Sequence, residues 1–202
     1  MISMLLSLTL VLSVFIGYLL GSIPIAVLVS RLRGVDIFTT GSGLAGAANV
    51  FRNVGHFHGI LVFSGDIAKG VLAMMISYQL GLEGPWILFP AVATLTGHWR
   101  SVFTGFRGGD GLSTLLGITL AIMPVYGIIG LVAGAIVAFI ARLTGHHASL
   151  WGGGVAYGWL LVLGITASGE NAALLLGVVL LALLVLTHGV VGHHRELNPS
   201  YH

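Results

Sequence analysis

The chain has 202 residues, 56% of them hydrophobic and only 7% charged, which excludes an ordinary water-soluble domain and predicts an all-α, polytopic integral membrane bundle in one domain, 1–202. The lack of cysteine excludes disulfides and thiolate chemistry. A net charge of +2 rests on so few residues that their positions matter more than their sum, and there is no basic tail or nucleic-acid motif.

The first apolar segment, Met1 to Leu20, has no Lys or Arg at its start, so it predicts a retained membrane helix rather than a cleavable signal peptide. Apolar runs and breakers predict about seven spans, at 3–20, 57–80, 86–102, 112–123, 125–141, 151–166 and 172–190. Between the first two, GSIPIAVLVSRLRG is apolar but short and interrupted by Pro and Gly, the pattern of a re-entrant or interfacial piece.

Residues 38–52, FTTGSGLAGAANVFR, form a glycine- and hydroxyl-rich loop between two apolar stretches, with basic residues on both sides. Gly41, Gly43 and Gly46 can take positive φ and let the main chain approach a ligand closely. Successive N–H groups of such a loop form an anion-binding concavity, to which Ser42, Thr39, Thr40 and Asn49 can add hydrogen bonds. The blander reading of these glycines is close helix packing in a membrane.

Asp66 and Lys69 stand i, i+3 in the next apolar run. They are expected to pair with each other or to line a polar pocket in which Lys69 reaches an anion. The third run ends in GHWRSVFTGFRGGDGLST, where His98, Arg100, Arg107, Gly108 and Gly109 again combine cations with a flexible backbone. Arg107 in this turn can grip phosphate bidentately. Asp110 sits awkwardly there, since at ~4 Å from a phosphate it opposes binding by ~1 to 4 kcal/mol. It is expected to turn outward or to pair with Arg100 or Arg107.

Pro124 splits 112–141 into halves short for a crossing, and charge decides between one span and two. Two spans put Arg31, Arg33, Arg52, Arg100, Arg107, Arg142 and Arg195 on one face, and leave the connections at Glu83, Pro124 and Glu170 without a basic residue. The arginine face is then cytoplasmic, with the N-terminus outside and the C-terminus inside. Among the nine histidines, His56/His58, His146/His147 and His193/His194 lack the spacing of a metal site, so no metal is expected. His98 and His188, at cytoplasmic helix ends, are better placed to touch a polar ligand.

Taken together the blocks resemble the bacterial acyl-phosphate-dependent glycerol-3-phosphate acyltransferase family: GSIP at 21–24, GSG..GA.NV.R at 41–52, D..KG at 66–70, GH at 97–98, F.GG.G..T at 106–114, Ser149-Leu150, and a histidine after the last span. The resemblance implies transfer of a fatty acyl group from acyl phosphate to the 1-hydroxyl of glycerol 3-phosphate, giving lysophosphatidate for phospholipid synthesis. It implies no cofactor and no metal, with membrane lipid as the third partner and a site facing the cytoplasm of the bacterial inner membrane. Carried over by position, it places Ser42, Asn49, Lys69, His98, Ser149 and His188 in the catalytic site. Gly41, Gly43, Gly46, Arg52, Arg107, Gly108 and Gly109 would bind substrate and phosphate. Leu44, Ala45 and Ala48 stand where the family has Asn, Pro and Thr, and Asp110 stands where it has Lys.

Acyl phosphate carries a good leaving group, so transfer needs no covalent enzyme intermediate. Positioning of the hydroxyl and stabilisation of developing charge by N–H groups and cations suffice. The substrate's own phosphate, His98 or His188 are competing recipients of the hydroxyl proton. A second reading, carried by Leu44, Ala48 and Asp110, is a relative without turnover that binds lipid or partners an active paralogue. A third, a small transporter, is opposed by the absence of internal repeats and by polar blocks gathered on one face.

Overall fold

The computed structural model describes the backbone of residues 2–143, 148–166 and 169–196, with side chains for 6–141, 143, 151–163 and 172–190. Helix α1, Ile2–Ser22, carries no charged residue and ends where Pro24, which has no N–H to continue the ladder, caps the short α2, Ile25–Arg31. The segment read as re-entrant or interfacial is thus a seven-residue helix, with Ala26, Val27 and Ser30 buried. A 3-10 turn at Ile37–Thr39 and a glycine-rich loop lead to α3, Ala47–Asn53, and then to the long α4, His56–Gln79. The order continues with a 3-10 turn Gly84–Ile87, α5 Leu88–Trp99, α6 Leu112–Ile122, α7 Pro124–Leu143, α8 Ala148–Thr166 and α9 Gly169–Glu196. Among the described residues there is no strand, only an isolated bridge between Ser101 and Arg107.

The seven apolar runs fall on α1, α4, α5, α6, α7, α8 and α9. Four stretches have the length and composition to cross a membrane: Leu6–Arg31, His56–Gln79, Pro124–Ala141 and Ala172–Val190. With 11 residues, α6 rises only ~16 Å, about half a hydrocarbon core. At Met123–Pro124 the chain turns back, so that a Cβ on Gly127 would lie 2.9 Å from the Leu120 Cα. A continuing helix would keep those residues ~10 Å apart.

Helices meet through small residues, as they do where no water-driven force pulls apolar faces together. A methyl on Gly21 would overlap the Thr94 carbonyl and one on Gly97 the Tyr18 carbonyl, which fixes α1 against α5. Gly70 lies against the Thr114 carbonyl and Gly117 against the Ile67 carbonyl, bringing α4 onto α6. The main core lies between α4, α5, α6, α8 and α9, around Met74, Leu95, Leu115, Ile118, Leu160 and Val178. A second, smaller core of Ala26, Val27, Ile37, Ala45, Val50 and Val62 seats α2, the loop and α3 against the first half of α4. Phe15, Val125, Val132, Phe139 and Leu180 point outward and are exposed, the surface expected of helices solvated by lipid.

Candidate active site

The loop between α2 and α3 is held from within. Asp36 accepts from the Phe38 N–H at 3.0 Å, and its carbonyl accepts from the hydroxyls of Thr39 at 3.1 Å and Thr40 at 2.8 Å. Gly41 and Gly43 lie in the left-handed region, at φ +55° and +64°, with Ser42 between them. The Asn49 side chain, 2% exposed, donates to the carbonyls of Thr40 at 2.9 Å and Leu44 at 3.0 Å. Asn53 in turn donates to the Asn49 side-chain oxygen at 2.7 Å. The side chains of Thr39, Thr40 and Asn49, expected on phosphate oxygens, are therefore turned to the loop's own backbone. Gly46 does not use its left-handed freedom: at φ −127° it is extended, as the N-cap from which α3 starts.

A second segment closes against this loop. After α5, Ser101 donates to the Ser22 carbonyl at 2.5 Å, tying the chain to the end of α1. Thr104 donates to the Arg107 carbonyl, and Phe106 is left-handed at φ +62°. Gly109 N–H then donates to the His98 carbonyl at 3.2 Å, and Ala45 N–H donates to the Gly108 carbonyl at 3.0 Å. Both glycines are required by close approach: a methyl on Gly108 would overlap the His98 carbonyl, and one on Gly109 would lie 2.5 Å from His98 Nε2. Residues 45–47 and 108–110 thus form a thin wall.

The two sides of the wall differ in kind. On one side a cleft of about 10 Å³ is lined by Asp66, Lys69, His98, Ser101, Gly108 and Gly109. Lys69, 4% exposed, pairs with Asp66 at 2.8 Å and donates to the Ile23 carbonyl at 3.2 Å. His98 Nδ1 shares a hydrogen bond with the Thr114 hydroxyl at 3.2 Å and lies 3.8 Å from the same Asp66 oxygen. On the other side an apolar cavity of about 350 Å³ runs between α3, α4, α6, α7 and α8, past Ala48, Phe63, Leu116, Leu131 and Gly152. That size suits a small lipid ligand, and Asp110, Ser113 and Tyr157 are its polar lining.

The sequence profile of the glycerol-3-phosphate acyltransferases matches residues 11–197. The chain belongs to this family. It is 36% identical over 182 residues to the glycerol-3-phosphate acyltransferase of Geobacter sulfurreducens, covering 90% of this chain and 88% of that one. To glycerol-3-phosphate acyltransferase 1 of Deinococcus radiodurans it is 38% identical over 182 residues, covering 90% and 89%. Two crystal structures of PlsY (YgiH), an integral membrane glycerol 3-phosphate acyltransferase, share the fold at 29% identity. The glycerol 3-phosphate form gives a TM-score of 0.74 over 94% of this chain and 90% of that one. The lysophosphatidic acid form gives 0.73 over 96% and 94%. With its apolar helices and these neighbours, the chain is a membrane protein.

In this glycerol-3-phosphate acyltransferase family member the remaining expected residues fall on several elements, and Arg107 lines the same cleft as Lys69 and His98. Arg107 is exposed, stacks its guanidinium 4.0 Å over the Phe38 ring and donates to the Phe38 carbonyl at 3.4 Å. Arg52 lies in the exposed last turn of α3. Asp110 pairs with neither Arg100 nor Arg107; its carboxylate accepts the Leu112 N–H at 3.1 Å because it stands just before the first turn of α6. His188 on α9 stacks on Trp99 at 5.0 Å, and Trp99 Nε1 donates to the Asp110 carbonyl at 2.8 Å. Trp99 thereby links the last helix to the wall, a role that an apolar run ending in Trp does not announce. Thr114 and Ser113 belong to the site as well, and their only sequence signal is adjacency to the glycine cluster. Ser149 falls in α8, with its side chain outside the described residues, as are the side chains of Arg142, Arg195, His193 and His194 and all of His146 and His147. The positions that depart from the family fit the structure: Leu44 and Ala45 serve the loop through their backbone, and Ala48 lines the cavity.

Proposed function

We propose that the chain is a membrane acyltransferase that moves a fatty acyl group from acyl phosphate to the 1-hydroxyl of glycerol 3-phosphate, giving lysophosphatidate. The observation that carries this reading is the wall itself. It sets a glycine-rich loop with left-handed Gly41 and Gly43 beside a cavity of about 350 Å³ lined mostly by apolar groups. The acyl chain lies in the cavity, and the phosphates lie on the loop side, within reach of Ser42, Arg52 and Arg107. The Ser42 hydroxyl makes no hydrogen bond among the described residues and is open to a phosphate oxygen. Arg107 lines the cleft together with Lys69 and His98; the His98 carbonyl holds the Gly109 N–H, and Lys69 holds the Ile23 carbonyl at the end of α1. His188 acts through Trp99, and Ser149 joins the site by its family position.

In the transfer the 1-hydroxyl oxygen bonds to the acyl carbon and the bond from that carbon to the phosphate oxygen breaks, its electron pair leaving on phosphate. Most of the rate comes from orientation and from N–H groups and cations facing the developing charge. The glycerol 3-phosphate and lysophosphatidic acid forms of the related PlsY enzyme support acceptor and product. Palmitoyl phosphate and a palmitoyl thioester, each given with labelled glycerol 3-phosphate, separate the donors. Labelled lysophosphatidate is expected from the phosphate, and its formation only from the thioester would overturn the donor assignment.

We further infer seven crossings, with the N-terminus outside and the site facing the cytoplasm of a bacterial inner membrane. Support comes from the arginines at 31, 33, 52, 100 and 107 and from the α6–α7 turn at Pro124.

A further inference from the structure

Asp110 stands where the wall meets the apolar cavity. Its Oδ1 accepts the Leu112 N–H at 3.1 Å, which fixes the direction of the carboxylate. Among the described residues Oδ2 has neither a hydrogen bond nor an ion pair, and no cation engages the group. Both oxygens lie 3.7–3.8 Å from the point that a methyl on Gly46 would occupy, so the carboxylate faces the start of α3. Ser113, three residues on, lines the same cavity at 8% exposure, and its hydroxyl has no partner among the described residues. A fixed carboxylate with a free oxygen and a hydroxyl open to the cavity are an acceptor and a donor for a ligand hydroxyl.

On the reading given under Proposed function, on which this inference rests, the acyl carbonyl reaches the cavity mouth and the glycerol hydroxyl arrives from the glycine-rich loop. Asp110 stands between the two, lining the cavity and facing Gly46 of the loop. The histidines are worse placed: His98 Nε2 abuts Gly109 from the cleft side of the wall, and His188 lies against Trp99.

We propose that Asp110 is the general base of this chain. Oδ2 takes the proton of the glycerol 1-hydroxyl as that oxygen bonds to the acyl carbon, and the Ser113 hydroxyl positions the glycerol by a hydrogen bond. The carbon–oxygen bond to phosphate then breaks with its electron pair on phosphate, which takes the proton from Asp110 as it leaves. The carboxylate that looks misplaced beside a phosphate site thus has a use on the hydroxyl side of the reaction.

Asp110→Asn separates this role from simple charge repulsion, because its side-chain oxygen can still accept from Leu112 while it cannot take a proton. Loss of a base lowers kcat by about 10²- to 10⁴-fold, with KM for glycerol 3-phosphate changed by less than about threefold. Formate should restore part of the rate to Asp110→Ala. An Asp110→Asn variant that matches or exceeds wild-type kcat, as repulsion alone predicts, overturns the proposal. So does a folded Asp110→Ala variant that formate leaves inactive. If the wild-type chain makes no lysophosphatidate, the acyltransferase reading fails first and takes the base with it.

Discussion

At the residue scale Lys69 and Asp66 pair with each other and line the polar cleft, which meets both expectations drawn from their spacing. The pair is buried, with the ammonium also on the Ile23 carbonyl, so its attraction offsets a large desolvation cost. Removing one partner leaves the other charged and alone. Lys69→Ala is expected to lose ~3–5 kcal/mol of stability in detergent unfolding, whereas Asp66→Asn combined with Lys69→Met recovers most of it. A double variant as unstable as the single one would show that the pair is not the source of the loss. Asn49 is similar in kind. Its place after a glycine-rich loop is visible in the chain, but its use on the carbonyls of Thr40 and Leu44 depends on how that loop folds back. Phe106 was equally hidden, since a left-handed backbone is expected at glycine and not at an aromatic residue.

At the scale of elements, the helices were legible because length and apolarity are local properties of the chain. Pro124 marked the α6–α7 reversal for the same reason. The cavity was not legible, because it is assembled from five helices that share no sequence pattern. Nor was the link from His188 through Trp99 to Asp110, which joins residues far apart in the chain. Packing between elements depends on particular glycines and gives a clean comparison. Gly117→Ala sets a methyl against the Ile67 carbonyl, whereas Gly154→Ala has nothing within 4 Å of the new atom. The first is expected to cost ~1–3 kcal/mol by overpacking and the second to stay within ~0.5 kcal/mol of wild type. Equal thermal midpoints for the two variants would contradict the close α4–α6 contact.

For the whole molecule, orientation and chemistry are linked, because a site supplied with soluble glycerol 3-phosphate must open to the compartment that holds it. The chain has no cysteine, so single cysteines can report sidedness without background. Glu83 and Arg33 are both exposed. Glu83→Cys is expected to react with an impermeant maleimide on intact cells, and Arg33→Cys only after the membrane is opened; the reverse pattern would invert the topology. The decisive test of function is phosphate release from palmitoyl phosphate by the purified protein, with and without glycerol 3-phosphate, while lysophosphatidate is followed in parallel. Release that needs glycerol 3-phosphate and equals the lysophosphatidate formed is the expected result. Release independent of glycerol 3-phosphate, or no turnover from folded protein, would contradict an acyltransferase built on this wall and cavity.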